Sequence, residues 1–254
     1  MEHKHNSTHR FSNRADQYSL YRPQYPQAVI DYLKEAIGLN PASNIADVGA
    51  GTGIFSKLLL DAGFAVTAVE PNDEMRKAAE ASLNSYPNFR SIAGTAEETT
   101  LANHSVDLVT VAQAFHWFRP EETCQEFWRI LNASGHILLL WNILQTDHPF
   151  LKAYSDLKAK YENTIQHTHR ANLERIREIF APNEVVTQNF RNAQQLNAEG
   201  FKGYFQSFST VPLQDDARYE PMMQELNKLF DTYQQNGLVT MEYETQLFLI
   251  AKQA

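Results

Sequence analysis

The stretch Asp47-Val48-Gly49-Ala50-Gly51-Thr52-Gly53 stands between two runs of different periodicity. Positions 44–50 read as a short buried strand, and 54–62 as a helix with Ile54, Phe55, Leu58 and Leu59 facing inward and Gly63 at its end. Glycines at 49, 51 and 53 let the backbone come within contact distance of a ligand. In an open parallel sheet, ligands lie beyond the carboxyl ends of the strands, where this turn falls. Position 54 is Ile54, so the spacing is not the G-x-G-x-x-G of dinucleotide sites, and no Gly-Lys-Ser/Thr follows as a phosphate-binding loop requires.

Working outward, the same alternation repeats. Positions 65–70 form a second strand, followed by a helix over 73–83 with Met75, Ala78, Ala79 and Leu83 inward. A third strand is expected at 89–93. The β-branched run 106–114 reads as a central strand covered on both faces. Pro120 then opens a helix with Glu121 and Glu122 at its positive end and Phe127, Ile130 and Leu131 inward, and 135–142 is a fifth strand. Strands separated by helices of this length pair in parallel through right-handed crossovers, which predicts an α/β fold with an open, doubly wound sheet. Beyond Thr146 the pattern is mostly helical, at 150–161, 173–180, 196–208 and 222–233, with strand-like runs at 185–190 and 245–252 to complete the sheet. Ahead of the first strand, prolines at 23 and 26 precede a helix bearing Val29, Ile30, Leu33 and Ile37, ended by Gly38.

Composition narrows the class. At 254 residues with 43% hydrophobic and 20% charged positions, the chain is one large domain or a domain with an inserted cap. Its formal charge of −8 repels a phosphate backbone. The most basic segment, with Lys152, Lys158, Lys160, Arg170, Arg175 and Arg177, is interleaved with Asp156, Glu162 and Glu174 and reads as a solvated helical face, so no nucleic-acid partner is expected. The single cysteine, Cys124, forms no intrachain disulfide, and no apolar run approaches the ~20 residues that span a bilayer. A soluble, cytoplasmic protein is expected. His3, His5 and His9 lie on a polar tail without acids or cysteines to fix a geometry, and His167 and His169 are too sparse, so no metal is expected. The oligomeric state is not legible.

The second acidic signal is Glu70, which ends the second strand 21 positions after Gly49. A carboxylate there can accept hydrogen bonds from both hydroxyls of a ribose, which narrows the ligand to an adenosine-type molecule.

In these features the chain resembles the class I S-adenosylmethionine-dependent methyltransferases. Asp47–Gly53 looks like their first motif, Glu70 like their ribose-binding acid, and Gly94-Thr95-Ala96-Glu97 like the turn that borders adenine. Phe115-His116-Trp117-Phe118, with Tyr18-xxx-Arg22-Pro23-xx-Pro26, is similar to the type 11 methyltransferases and in particular to their trans-aconitate-methyltransferase-like branch. The resemblance implies a Rossmann-like, mostly parallel seven-stranded sheet. Residues 10–40 would form N-terminal lid helices, 41–145 the donor-binding core, 146–240 a helical cap with one sheet strand, and 241–254 the terminal strand. It implies S-adenosyl-L-methionine as cofactor and a small-molecule acceptor, a carboxylate or other oxygen nucleophile, methylated by in-line transfer.

Residue by residue, it gives the methionine portion of the donor to Asp47, Gly49, Ala50, Gly51 and Gly53, and the ribose to Glu70, followed by Pro71. The adenine edge falls to Thr95, Ala96 and Glu97, with Met75 packing on its face, while Gln113 and Ala114 lie beside the donor. From the lid, Tyr18 closes over the loop, and Arg22 pairs with the donor carboxylate or an acidic acceptor. Methyl transfer needs chiefly alignment and exclusion of water, and a base only where the acceptor must lose a proton. His116 is the candidate base. Trp117 and Phe118 are candidate aromatic walls, and Trp141, leaving the fifth strand toward the same edge, is a second candidate acceptor contact. A non-catalytic protein that binds S-adenosylmethionine or S-adenosylhomocysteine as a regulator is the other reading of the same loop.

Overall fold

The computed structural model describes residues 20–162 and 172–252. Its first half runs α1 (Ala28–Ile37), β1 (Asn44–Val48), α2 (Ile54–Asp61), β2 (Ala65–Val69), α3 (Asp73–Leu83), β3 (Phe89–Ile92) and β4 (Val106–Ala112). The second half runs α4 (Pro120–Ile130), β5 (Leu131–Leu144), α5 (Pro149–Tyr161), α6 (Leu173–Phe180), β6 (Val185–Leu196), α7 (Ala198–Gln206), α8 (Tyr219–Tyr233) and β7 (Val239–Ala251). One seven-stranded sheet has the order β3-β2-β1-β4-β5-β7-β6. The first five strands are parallel; β7 is antiparallel to both β5 and β6. The chain reverses direction across the sheet between β1 and β4, and the carboxyl ends of β1, β2 and β4 converge there.

Two apolar layers cover the sheet. On one face Val29, Ile30 and Leu33 of α1 pack with Phe55, Leu59 and Leu60 of α2 over Ile45, Leu108 and Leu138. On the other, Phe127 and Ile130 of α4 and Ile176 and Phe180 of α6 cover Val109, Leu139 and Phe248. A third cluster joins α5, α7 and α8 to the first turns of β7 through Tyr154, Phe201, Leu226 and Tyr243. The cap therefore consists of three helices, while α6 belongs to a face of the sheet.

The last two strands are longer than the apolar pattern predicts. β6 continues six residues past Phe190 through Arg191–Leu196, and β7 starts at Val239 rather than 245. Both extensions pair in register, Arg191 with Glu244 and Leu196 with Val239. An edge strand needs backbone pairing on one side only, so its polar residues carry no alternation that marks it as a strand. The helix expected from 196 begins at Ala198 for the same reason, Leu196 being the last residue of β6. The fourth strand stops at Ala112, and Gln113 takes a left-handed backbone with φ of 59°.

Candidate functional site

The glycine loop is built by the sheet. Gly49 N–H donates to Val69 O at 2.8 Å, clipping the loop to the end of β2. Its two sides differ. A β-carbon on Gly49 would stand 2.8 Å from Ala114 Cβ and 2.9 Å from Phe118 Cζ, so this side is closed by the segment after β4. A β-carbon on Gly51 would meet nothing within 4 Å, and the residue has φ of +57°, which L side chains rarely adopt. Backbone is thus bared toward open space at Gly51.

Glu70 lies at the brim of that space. Its Oε2 accepts the Gly51 N–H at 2.8 Å and its Oε1 the Asn72 N–H at 2.9 Å. Four lone-pair positions on a carboxylate leave about two for further hydroxyls, one on each oxygen. Burial raises the Glu70 pKa, against the lowering effect of the two N–H donors and of Arg76. A bound ribose needs the ionised form, so donor affinity is expected to weaken as pH falls from neutral through the raised pKa. Titrations at several pH values should show this slope in the wild type and not in Glu70→Gln.

Asp47 differs from the expectation. Its carboxylate is 1% exposed and accepts Ser56 Oγ at 2.6 Å and Thr110 Oγ1 at 2.8 Å. Both oxygens point into the protein, tying β1 to α2 and β4, and burial raises the pKa. Asp47 therefore shapes the loop from behind, and its two oxygens are taken up by the protein rather than by the methionine portion of the donor, whether through its ammonium group or water. Thr52, in the loop itself, is buried with an Oγ1 that has no partner. A bound donor is the natural partner for such a hydroxyl. The cradle at Gly51, the spare acceptor capacity of Glu70 and the Thr52 hydroxyl together fit an adenosyl amino acid.

The other predicted contacts divide. Ala96 is buried within the 95–98 turn, closed by Thr95 N–H to Glu98 O at 3.1 Å, and Pro71 is exposed directly after Glu70. Glu97 accepts the Arg119 N–H at 2.9 Å and lies 3.5 Å from its Nε, so its carboxylate pins the turn to the start of α4. Met75 is buried, its N–H bound to the Asn72 side chain that caps α3. Gly53 sits against Leu83, and Ala50 follows Gly49 on the β2 clip. Gln113 Nε2 donates to Asn142 O at 3.3 Å, bridging β4 and β5 at their carboxyl ends, and Ala114 touches the closed side of Gly49.

One expectation is corrected. Trp141 does not reach the acceptor edge: it is 4% exposed on the α4–α6 face, edge-on to Phe248 at 5.7 Å, because strand alternation turns it inward. Arg22 is placed against the cap, where its Nη2 donates to Ser207 O at 3.1 Å and its guanidinium lies 3.9 Å over the Phe208 ring. Tyr18, His3, His5, His9, His167, His169 and Arg170 lie outside the described residues. Asn72 and Thr52 were missed; Asn72 is signalled by the helix-capping Asn-Asp pair at 72–73, whereas a threonine between glycines carries no signal.

His116 sits in a 3₁₀ turn, Phe115–Trp117, with its ring 4.8 Å from that of Trp117. Burial lowers its pKa to about 4. The unfolded chain takes up this proton near the ordinary 6.5, the folded one only near 4, so His116 makes stability fall as pH drops across that window, by about 3 kcal/mol. Denaturant melts at several pH values should show a flatter profile for His116→Gln than for the wild type. Among the described residues no helix is long and apolar enough to cross a membrane, and no group of three or more His, Cys, Asp or Glu is placed to hold a metal ion.

Comparison with known proteins agrees with this geometry. Residues 46–139 match the family model of a methyltransferase domain, Methyltransf_11. An uncharacterized methyltransferase of Schizosaccharomyces pombe is 28% identical over 219 residues, 85% of this chain and 84% of that protein. One from Mycobacterium tuberculosis is 39% identical over 132 residues, so the match spans about half of each protein, 52% and 51%. A solved structure from Anaeromyxobacter dehalogenans, assigned as a type II methyltransferase, superposes with a TM-score of 0.67 at 22% identity, covering 92% of this chain and 98% of that one. Residues 46–139, from β1 into β5, thus carry a methyltransferase domain, and the relatives together with the sheet order support the class I S-adenosylmethionine-dependent group.

Proposed function

We propose that the protein methylates a small molecule at an oxygen that is already ionised, a carboxylate in particular, in the cytoplasm. The observation that carries this reading is the state of His116 beside the donor loop. With its pKa pressed to about 4, taking a proton from a phenol of ordinary pKa would be uphill by about 8 kcal/mol. A carboxylate needs no such transfer. The donor, when bound, supplies an electrophilic methyl group on a sulfonium. Everything else falls to the chain: Glu70, Gly51 and Thr52 orient it, Glu97 and Arg119 fix the adenine-side turn, and Phe118, His116 and Trp117 exclude water. Alignment of this kind supplies several kcal/mol, up to ~7–11 in the best cases.

A small acceptor is also supported by the cap, which stands over the carboxyl ends of β5 and the start of β7. The acidic balance of the chain gives no footing for nucleic acid. Cytoplasmic placement rests on the one buried, free cysteine, Cys124.

Transfer of a labelled methyl group to a panel of carboxylic acids, phenols and amines tests the reading, with esters as the expected products. For the acceptor so found, kcat/KM is expected to be flat across the ordinary histidine range, and His116→Ala to lose less than about tenfold, since packing and not proton transfer is removed. An inflection near 6.5 that disappears in His116→Ala would restore the base and exclude this class. Donor binding with no transfer to any acceptor would favour the regulator.

A further inference from the structure

We propose that Glu126 is a positioning residue of the donor site: through Thr99 it holds the 95–98 turn in the conformation that reads the nucleobase, and so sets the preference for adenine. The proposal rests on the methyltransferase reading, which gives that turn to the adenine edge of the donor.

Residues 93–105, between β3 and β4, contain neither helix nor strand. A connection of that length has no backbone ladder of its own, so side chains from elsewhere must anchor it. Its first anchor is Glu97, which accepts the Arg119 N–H at the start of α4. The second is deeper. Glu126 Oε1 accepts the Thr99 N–H at 2.7 Å and the Thr99 hydroxyl as well, so one carboxylate oxygen takes both donors of a fully buried residue. Arg129 forks the same carboxylate, Nη2 on Oε1 and Nε on Oε2, each at 2.7 Å. Its Nη1 donates to Asn103 Oδ1 at 2.6 Å, inside the same connection. Glu126 follows Arg119 by seven positions, about two helical turns, so both anchors lie along one face of α4.

The charge on this buried acid strengthens the anchor. Burial raises the Glu126 pKa, but the hydrogen bonds from Arg129 and Thr99 outweigh it and leave the group below its ordinary value, ionised at neutral pH. An ionised acceptor holds an N–H or O–H more tightly than a neutral one. An ion pair along the helix needs only Arg129; the contact with Thr99 is what ties it to the donor site.

The anchor is transmitted because the turn is packed without slack. A β-carbon on Gly94 would stand 2.9 Å from Val69 Cγ1, 3.0 Å from Thr99 O and 3.2 Å from Glu98 O. Thr99 therefore rests against the residue that opens the turn, and that residue against the end of β2, one position before Glu70. Displacing Thr99 loosens Gly94–Glu97 first, because Glu70 and the glycine loop have hydrogen bonds of their own.

The test uses the full chain and two ligands that differ only at the Watson–Crick edge of the purine, S-adenosylhomocysteine and S-inosylhomocysteine, titrated by calorimetry. The wild type is expected to prefer the adenine ligand by about tenfold or more. Glu126→Gln is expected to lose about tenfold in affinity for it and less than about threefold for the inosine ligand, so that the preference shrinks. Thr99→Val removes one donor and keeps the Glu126–Arg129 pair; it should move the ratio in the same direction, by about threefold, and it serves where the glutamine variant does not fold. Lys252→Met is the stability control. It releases the carbonyls of Trp128 and Leu131 at the C-terminal end of α4, and should lower the melting temperature without moving the ratio. Equal weakening of both ligands, a ratio unchanged in the Glu126 and Thr99 variants, or the same change in Lys252→Met would overturn the positioning role alone. A wild type that binds both ligands equally would take the adenine edge away from this turn and overturn the proposal while the donor reading stands. Failure to bind either ligand would remove the donor site itself.

Discussion

Gly51→Leu is expected to lower S-adenosylmethionine affinity by about a hundredfold or more while the protein remains folded. The added side chain enters the open side of the loop and meets no protein atom within 4 Å at its first carbon, so folding suffers only from the left-handed backbone. That cost is about 1–2 kcal/mol. The space it fills is the space the donor's methionine portion would occupy. Calorimetric titration beside a thermal melt followed by circular dichroism separates the two effects. A folded variant whose dissociation constant stays within threefold of the wild type would move the donor site away from this loop.

Glu70→Ala is expected to weaken donor binding by about 1.5–3 kcal/mol, the loss of charge-assisted hydrogen bonds to the ribose. The same carboxylate braces the loop, since it holds the N–H groups of Gly51 and Asn72. Glu70→Gln separates the contributions: its carbonyl can keep one of these donors while its amide cannot accept from a hydroxyl. An intermediate affinity for Gln is therefore the expected order. If neither variant shifts the dissociation constant, ribose recognition lies elsewhere.

The fold of the first half of the molecule was legible because its signals are local. A buried parallel strand is a continuous apolar run, and Val106–Ala112 reads as nothing else; the glycines at 49, 51 and 53 mark a turn without help from the rest of the fold. Glu70 needed only the period of one strand and one helix. Roles that depend on where a side chain turns were not legible in this way. Asp47 occupies the expected place but is consumed by Ser56 and Thr110, the latter 63 residues away, and no local pattern discloses such a partner.

The cap was obscured by a different cause. Aromatic residues on amphipathic helices are needed for burial in any cap, so Tyr154 and Tyr204 look the same in sequence whether their hydroxyls are used or idle. The resemblance gives Arg22 to the donor carboxylate or an acidic acceptor, and no local pattern discloses its contacts with Ser207 and Phe208, about 185 residues downstream. The polar extension of β6 hid in the same manner, its register set wholly by β7.

Because β7 runs against β5, its final residues come out at the amino end of the parallel strands: Ala251 pairs with His136, and Lys252 is anchored on the carbonyls of Trp128 and Leu131. The glycine loop and the end of β7 are on opposite poles of the sheet. A fluorophore or surface tether on an exposed side chain at that end, such as Ala251→Cys, would leave the mouth clear for ligand traffic, which makes that position the natural handle for immobilised binding assays.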